Sequence, residues 1–438
     1  MLGCDIGTLF KVTVAGGSYQ EGMMVHLQGV PPGMRITEEE IYSDLLLRKP
    51  GQDELTSPRK EPDIPIIYSG VNAADTMEGE NNKGLTNGSP FVILIPNLDR
   101  QAIHIEQYQR SNRFPRPGHA SYASFQKYGM CDDSVGAGIF SGRYTCTIVA
   151  AGALAKRILR EHGIEVTAYI KEAAGIKARE MPLDAIREKV AAFRRVRRDH
   201  DPVYAAIYAR ERIRPEMRFL EKMAILSQFE KIMAENQVKV LDEQRVKEEH
   251  QIHPKLNCPD LEAAEEMYQR IIAIKEQGDS SGGVIEVQAT GLPAGMGEPV
   301  FRKLDGELGR MLSIAAVKAV EIGAGVGVKD MTGSLCNDEM FAQGGKVSFG
   351  SNHAGGLAGG LTTGQTLIAR VTVKPTPTIG KDQRTIDKVS LENVVLKAVT
   401  RRDPTIVPRV WPVVEGFLAI ILLDQYLQHL AYQTLWRS

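Results

Sequence analysis

Cysteine is scarce and carries no pattern. The five cysteines, Cys4, Cys131, Cys146, Cys258 and Cys336, are odd in number, far apart and without a CxxC spacing. That argues against both a disulfide framework and a thiolate metal site, and points to a reducing compartment with no metal expected. A surplus of either charge is also missing: 53 basic residues face 54 acidic ones. Without a long-range field, neither nucleic acid nor an anionic membrane is expected as a partner, and anion binding must rest on local clusters. Long hydrophobic runs are lacking too. "GFLAIILL", bracketed by Glu415 and Asp424, falls well short of the ~20 residues of a membrane span and reads as a buried helix. The start, "MLGCDIGTLFKVTVAGG", has neither the basic stretch nor the apolar run of a signal peptide, so a cytoplasmic location is expected.

At 438 residues the chain can bury a sizeable core, as one large domain with insertions or as two smaller ones. Glycine gathers in "VGAGIFSG" (135–142), "GLPAGMGEP" (291–299), "GAGVG" (323–327) and "HAGGLAGGLTTG" (353–364), where backbone must approach something closely. After the first comes "RYTCTIVAAGALAKRILREHG", Ala-rich and basic before a closing glycine, which predicts a helix. A glycine loop feeding a helix start is an anion-site geometry. After the last, Leu367, Ala369, Val371 and Val373 alternate with Ile368, Arg370, Thr372 and Lys374, which predicts a strand ending at "KPTPT". Lys374 at that strand end suits either a phosphate or plain solvent at a sheet edge. None of the loops makes a dinucleotide fingerprint, because "KYGMCDDS" before "VGAGIFSG" is no buried strand.

Residues 183–255 are dense in charge and poor in glycine, and Ile225, Leu226, Phe229, Ile232 and Met233 share one helical face. A helical insertion broken at Pro215 and packed on the body is expected there. A polar loop insertion is expected over 72–84. In "NRFPRPGHASYASFQKYG" (112–129) two prolines and a glycine deliver His119 on a stiff lead beside Arg116 and Lys127. Such an imidazole suits a general acid, a donor to an anion or cofactor, or simply a local turn contact.

Several stretches together resemble chorismate synthase: "GVPPGMRITEEEI", "PRPGHASYASFQKYG", "RYTCTIVAAGALAK", "GLPAGMGEPVFRKLD", "SIAAVKAVEIGAG", "SNHAGGLAGGLTTGQ", "KPTPTI" and "RRDPTIVPR", in order over nearly the whole chain. The resemblance implies a single α+β domain over 1–438, with helices sandwiched between antiparallel sheets and assembly as a homotetramer or homodimer. It implies reduced FMN as cofactor and a small anionic cyclohexene carboxylate as substrate, in the family 5-enolpyruvylshikimate 3-phosphate, which loses phosphate without net oxidation. By the same resemblance His119 meets the flavin; Arg48, Arg116, Arg143, Arg401 and Ser18 bind substrate; and Ser141, Lys374, Thr378, Asn352 and Gly356 bind the cofactor. Asp403 is implied in proton transfer.

Departures from the family pattern cluster. Tyr19 stands where the family's "GESHG" has a histidine that protonates the departing phosphate, and a phenol of pKa ~10 is a far weaker acid than an imidazole of ~6.5. Glu54 aligns with a substrate arginine. Ile139 and Phe140 replace an arginine and a serine of the glycine loop, Ala315 an asparagine and Ser121 an aspartate; Ile139, Phe140 and Ala315 fall where flavin contacts are expected. Each charge-assisted hydrogen bond removed weakens anion binding by ~1.5 to 3 kcal/mol. A paralogue with a changed substrate is therefore expected. An authentic chorismate synthase, a silent flavin- or metabolite-binding homologue, and an enzyme without flavin stay open.

Overall fold

Alternating apolar residues build two antiparallel sheets in the computed structural model, which describes residues 3–57, 59, 61–99, 112–133, 135–236, 240–398 and 403–436. The first sheet has β1 (Asp5–Ile6), β2 (Lys11–Gly16), β3 (Gly22–Gln28), β4 (Ile66–Ser69) and β5 (Phe91–Pro96), in the order β1-β2-β3-β5-β4. The second has β6 (Glu165–Ala173), β7 (Ile176–Lys177), β8 (Gly283–Thr290), β9 (Val317–Ile322) and β10 (Leu367–Val373), in the order β7-β6-β8-β10-β9. Met23, Val25 and Leu27 of β3 and Phe91, Ile93 and Ile95 of β5 point inward from one side, and Leu367, Ala369, Val371 and Val373 of β10 from the other. The strand expected before "KPTPT" is thus present with the expected face buried. Its outward Arg370 donates to Glu286 of β8 at 2.7 Å, an opposite-charge cross-strand pair.

Between the sheets lie α1 (Glu38–Arg48) and α3 (Thr145–Glu161), which follows α2 (Ser121–Tyr128), together with the last helix, α9 (Val407–Trp436). Helix α3 packs on β3 and β5 on one side and on β6 on the other, while α9 covers β6 and β8. This is the α+β sandwich that the resemblance implied. Thr37 starts α1 with a full capping box to Glu40, and Gly163 closes the turn after α3 at φ +74°, where only glycine rests without strain. By length and composition α9 is apolar enough to cross a membrane, yet nearly all of its most apolar window is buried inside the protein. "GFLAIILL" is therefore a core segment.

The charged region folds as α4 (Leu183–Asp199), a wide turn over Tyr204–Tyr208, α5 (Phe219–Leu226), α6 (Phe229–Ala234) and α7 (Glu243–His250), followed by α8 (Leu261–Glu276). Pro215 lies in the loop before α5. The single apolar face expected over 225–233 is split, because a turn at Ser227–Gln228 separates α5 from α6. Leu226 and Ile232 are buried all the same, and Ile225, Phe229 and Met233 pack against the main core, so burial rather than helix continuity set that spacing. Lys222 of α5 pairs with Glu38 of α1, both buried, which anchors the region to the body. Residues 72–84 form an irregular loop.

The tightest contact in the helix layer is between α3 and α9. A Cβ on Gly152 would lie 2.2 Å from the Cα of Gly416, so the two backbones touch because both positions lack a side chain. Gly152→Ala is expected to destabilise the fold by ~1 to 3 kcal/mol through overpacking. Urea unfolding checks this, with Gly309→Ala, whose Cβ would meet nothing within 4 Å, staying within ~0.5 kcal/mol of the parent.

Candidate active site

The glycine loop arrives at α3 through successive left-handed residues, Gly136 (φ +59°), Ala137 (φ +71°) and Gly138 (φ +48°). The tyrosine that replaces histidine packs on this loop: a Cβ on Gly136 would lie 2.4 Å from a ring carbon of Tyr19. Ser141 Oγ donates to Ser18 Oγ at 3.4 Å, so Ser18, Tyr19 and Ser141 come together as expected. Ile139 and Phe140 are exposed on the same loop, with the Phe140 ring 6.4 Å from that of Tyr128.

Below the loop lies a buried ionic cluster. Arg48, at the end of α1, donates from Nε to Thr145 Oγ1 at 3.1 Å and from Nη2 to the Gly142 carbonyl at 3.2 Å. Arg143 donates from Nε to Asn97 Oδ1 at 2.8 Å. Both guanidinium groups also bond to Asp63, one on each carboxylate oxygen, and Asp63 is fully buried. Burial by itself would push this carboxyl up, but Arg143 and then Arg48 hold it below the ordinary aspartate range. Burial does push Glu61 up, only partly opposed by Arg143. Asn97 in turn donates to the carbonyls of Gly17, Ser18 and Gln20, so the cluster fixes the loop that carries Tyr19. The Cys146 thiol beside it is pushed up to about 11 by burial, which keeps it protonated and unreactive.

His119 sits at a second corner. Gly118 adopts φ +72°, and a Cβ there would lie 3.5 Å from Pro377 and 3.7 Å from Lys374 Nζ. Lys374 Nζ donates to the Gly118 carbonyl, Arg116 reaches Thr378 Oγ1 at 3.4 Å, and Arg116 Nη2 is 3.5 Å from His119 Nε2. His119 Nδ1 is buried without a hydrogen-bond partner among the described residues. Burial first, then Arg116 and Lys374, push the imidazole down to about 4. At neutral pH it is therefore an uncharged ring, not the protonated acid that one sequence reading allowed.

Residues 313–316 bridge the two corners. Tyr144 Oη donates to the Ser313 carbonyl at 2.8 Å and accepts from the Ala315 amide at 2.9 Å, while the Lys374 amide donates to the Ala316 carbonyl. Asp403 joins from below: its Oδ1 accepts from the Ser57 amide at 2.7 Å and from Arg409 Nη1 at 3.1 Å, and Arg409 Nε donates to the Arg48 carbonyl at 3.2 Å.

Other expected residues lie elsewhere. Asn352 and Gly356 bond to each other, and Asn352 to the Thr366 carbonyl, before the start of β10. Lys374 follows its far end, a strand of seven residues away, or roughly 23 Å. Within one chain these two do not join the Lys374 corner, because the strand between them is extended. Glu54 is turned to Lys255, in the loop before α8, and to Tyr268 of α8; burial pushes its carboxyl up, but these two hold it down at about 2. Arg401 lies outside the described residues. Asp63, Asn97, Tyr144 and Arg409 were not singled out from the sequence. For Asp63 a signal existed: in "EPDIP" two prolines flank it, as two prolines precede His119, and it takes φ +56°.

Asp63→Asn is expected to cost ~3 to 5 kcal/mol in denaturant unfolding, because it leaves two buried guanidinium groups without their shared counter-charge. The ring protons of His119, assigned by comparison with His119→Gln, are expected to titrate near 4 in NMR spectra. With the unfolded imidazole near ~6.5, the unfolded chain takes up this proton first. Its share of stability is thus present above about pH 6.5 and lost as pH falls toward 4. His119→Gln should flatten that part of the stability profile.

Comparison with known proteins gives one answer throughout. The family model described as chorismate synthase matches residues 10–427. Among relatives, the chorismate synthase of Acetivibrio thermocellus is 37% identical over 97% of this chain and 94% of its own length. That of Pyrococcus abyssi is 34% identical over 98% of both. A solved crystal structure of chorismate synthase superposes with a TM-score of 0.61 at 26% identity, covering 97% of this chain and 94% of that one. The chain belongs to the chorismate synthase family of carbon–oxygen lyases.

Proposed function

We propose that the protein is a reduced-FMN-dependent lyase that eliminates a leaving group from a cyclohexene carboxylate, with the leaving-group corner altered from the family's phosphate chemistry. The observation that carries the cofactor half is the His119 corner. Its buried, unpartnered Nδ1 and the adjacent Arg116, Lys374 and Thr378 fit a flavin edge with a phosphate tail. Gly118 keeps that surface open, since a side chain there would crowd Lys374 and Pro377. When bound, reduced FMN supplies electron density that eases elimination from the ring with no net oxidation.

The chain's own residues supply the rest. Neutral His119 can donate or accept one hydrogen bond without adding charge against the cofactor. Arg48 and Arg143 share Asp63, and Arg143 also lies 3.7 Å from Glu61, so much of their charge is already met and they suit a carboxylate better than a multiply charged phosphate. Asp403 is the candidate for moving the ring proton, and Arg409 and the Ser57 amide hold its orientation. Tyr19, packed on Gly136, stands where an acid would face the leaving group. A homotetramer or homodimer and a cytoplasmic location belong to the same reading.

The second reading is unaltered chorismate synthase activity, favoured by full-length likeness to relatives of that name. Anaerobic incubation with reduced FMN and 5-enolpyruvylshikimate 3-phosphate separates the two. The first reading expects slow release of phosphate and chorismate, raised by Tyr19→His by about 100-fold, the usual scale of a positioned acid. Matched, rapid release of both by the unchanged chain would establish the second.

A further inference from the structure

Three helices enclose a second cationic cavity away from the corners described above. It has a volume of about 270 Å³ and lies between α1, α3 and α4, with Arg157, Arg160, Arg194, Arg195 and Arg198 around it. Among the described residues, the only carboxylates in its lining are Glu40 and Asp44, and both are already engaged. Asp44 belongs to a buried four-membered network with Lys156, Arg194 and Glu415, in which two positive and two negative groups cancel. Glu40 caps α1 and lies 3.8 Å from Arg157. Arg157 is also paired with Glu161, and Arg198 leans over the Tyr204 ring beside Asp199.

Two guanidinium groups are left over. Arg160 bonds only to the Lys156 carbonyl, and Arg195 makes no ion pair or hydrogen bond among the described residues. Beneath them the floor is apolar, formed by Ile41 and Leu154, each about 1% exposed. Two unneutralised forks above an apolar floor match a small ligand that couples a dianionic group to an apolar ring or chain, since paired arginines grip phosphate oxygens bidentately. The cavity is distinct from the flavin and substrate corners: Arg157 lies twelve residues along α3 from Thr145, or roughly 18 Å.

We infer that this cavity binds a small phosphate monoester, with Arg160 and Arg195 holding the phosphate and the Ile41–Leu154 floor taking the organic part. The inference stands apart from the proposed reaction and does not depend on it.

Isothermal titration with phenyl phosphate and with inorganic phosphate tests it, in an Arg116→Gln/Lys374→Ala background that removes competing anion sites at the His119 corner. One saturable site is expected, tighter for phenyl phosphate than for inorganic phosphate because of the floor. Adding Arg160→Gln/Arg195→Gln should weaken phenyl phosphate by about tenfold or more, the scale of one lost charge-assisted contact. Both positions are exposed, so the thermal midpoint should not move, and Arg195→Gln alone serves if the double variant is unstable. Equal affinity with and without the arginine substitutions would overturn the assignment, as would the lack of any saturable heat in the chain that retains both arginines. Equal affinity for the two probes would overturn the part assigned to the floor.

Discussion

One buried carboxylate organises the site. Asp63 is held between Arg48 at the end of α1 and Arg143 just before α3. Removing the carboxylate leaves two guanidinium groups uncompensated in a medium that cannot solvate them, which is far worse than exchanging the set for apolar groups. The triad therefore works as a geometric lock. It fixes α1 to the start of α3, and through Asn97 it fixes the loop of residues 17–20. Through the Arg48 carbonyl and Arg409 it reaches Asp403. Four segments distant in sequence thus take their relative positions from one ion set.

The sandwich makes such a lock possible. Helix α3 can touch both sheets because Gly152 and Gly416 let it lie directly on α9, and the thin helix layer leaves the α3 start at the sandwich edge. There the backbone must turn sharply, and the left-handed run Gly136–Gly138 does so. On the opposite side β10 ends at Val373, and Lys374 faces Gly118 because the proline-stiffened stretches on both sides have few other conformations. Stiffness is needed at this corner since His119 makes no hydrogen bond through Nδ1 to hold it. Its lead chain does the positioning.

Much of this was legible in the sequence, for identifiable reasons. Strand β10 and helix α3 follow from period and capping, which act over a few residues, and His119, Lys374 and Ser141 follow from local motifs. The α5–α6 turn was not legible, because the apolar spacing of 225–233 reports a buried face and says nothing of a two-residue break in the helix. Asp63 and Asn97 were missed because their partners lie far away in sequence: Arg143 is eighty residues from Asp63. That Asn352 and Gly356 lie away from Lys374 within one chain was hidden for the converse reason. Their motif is recognisable, but the extended length of β10 that separates them from Lys374 appears only once the strand is built.

The electrostatics of the two corners bear on the leaving group. An acid that protonates a departing group must hold its proton at working pH and lose it readily in the transition state. His119 fails the first condition, since its imidazole is pushed down to about 4. A phenol of ordinary pKa ~10 meets the first and resists the second. Burial raises the Glu61 carboxyl, but this group is turned to Arg143. A leaving group that departs as an already stable anion needs no such acid; it needs only nearby positive charge that other carboxylates have not consumed. Asp63 takes much of that charge from Arg48 and Arg143, whereas among the described residues the Lys374 ammonium bonds only to a carbonyl, that of Gly118. The proposed alteration rests on that division: the His119 corner holds Arg116 and Lys374 beside an uncharged imidazole, whereas at the Tyr19 corner Arg48 and Arg143 share Asp63.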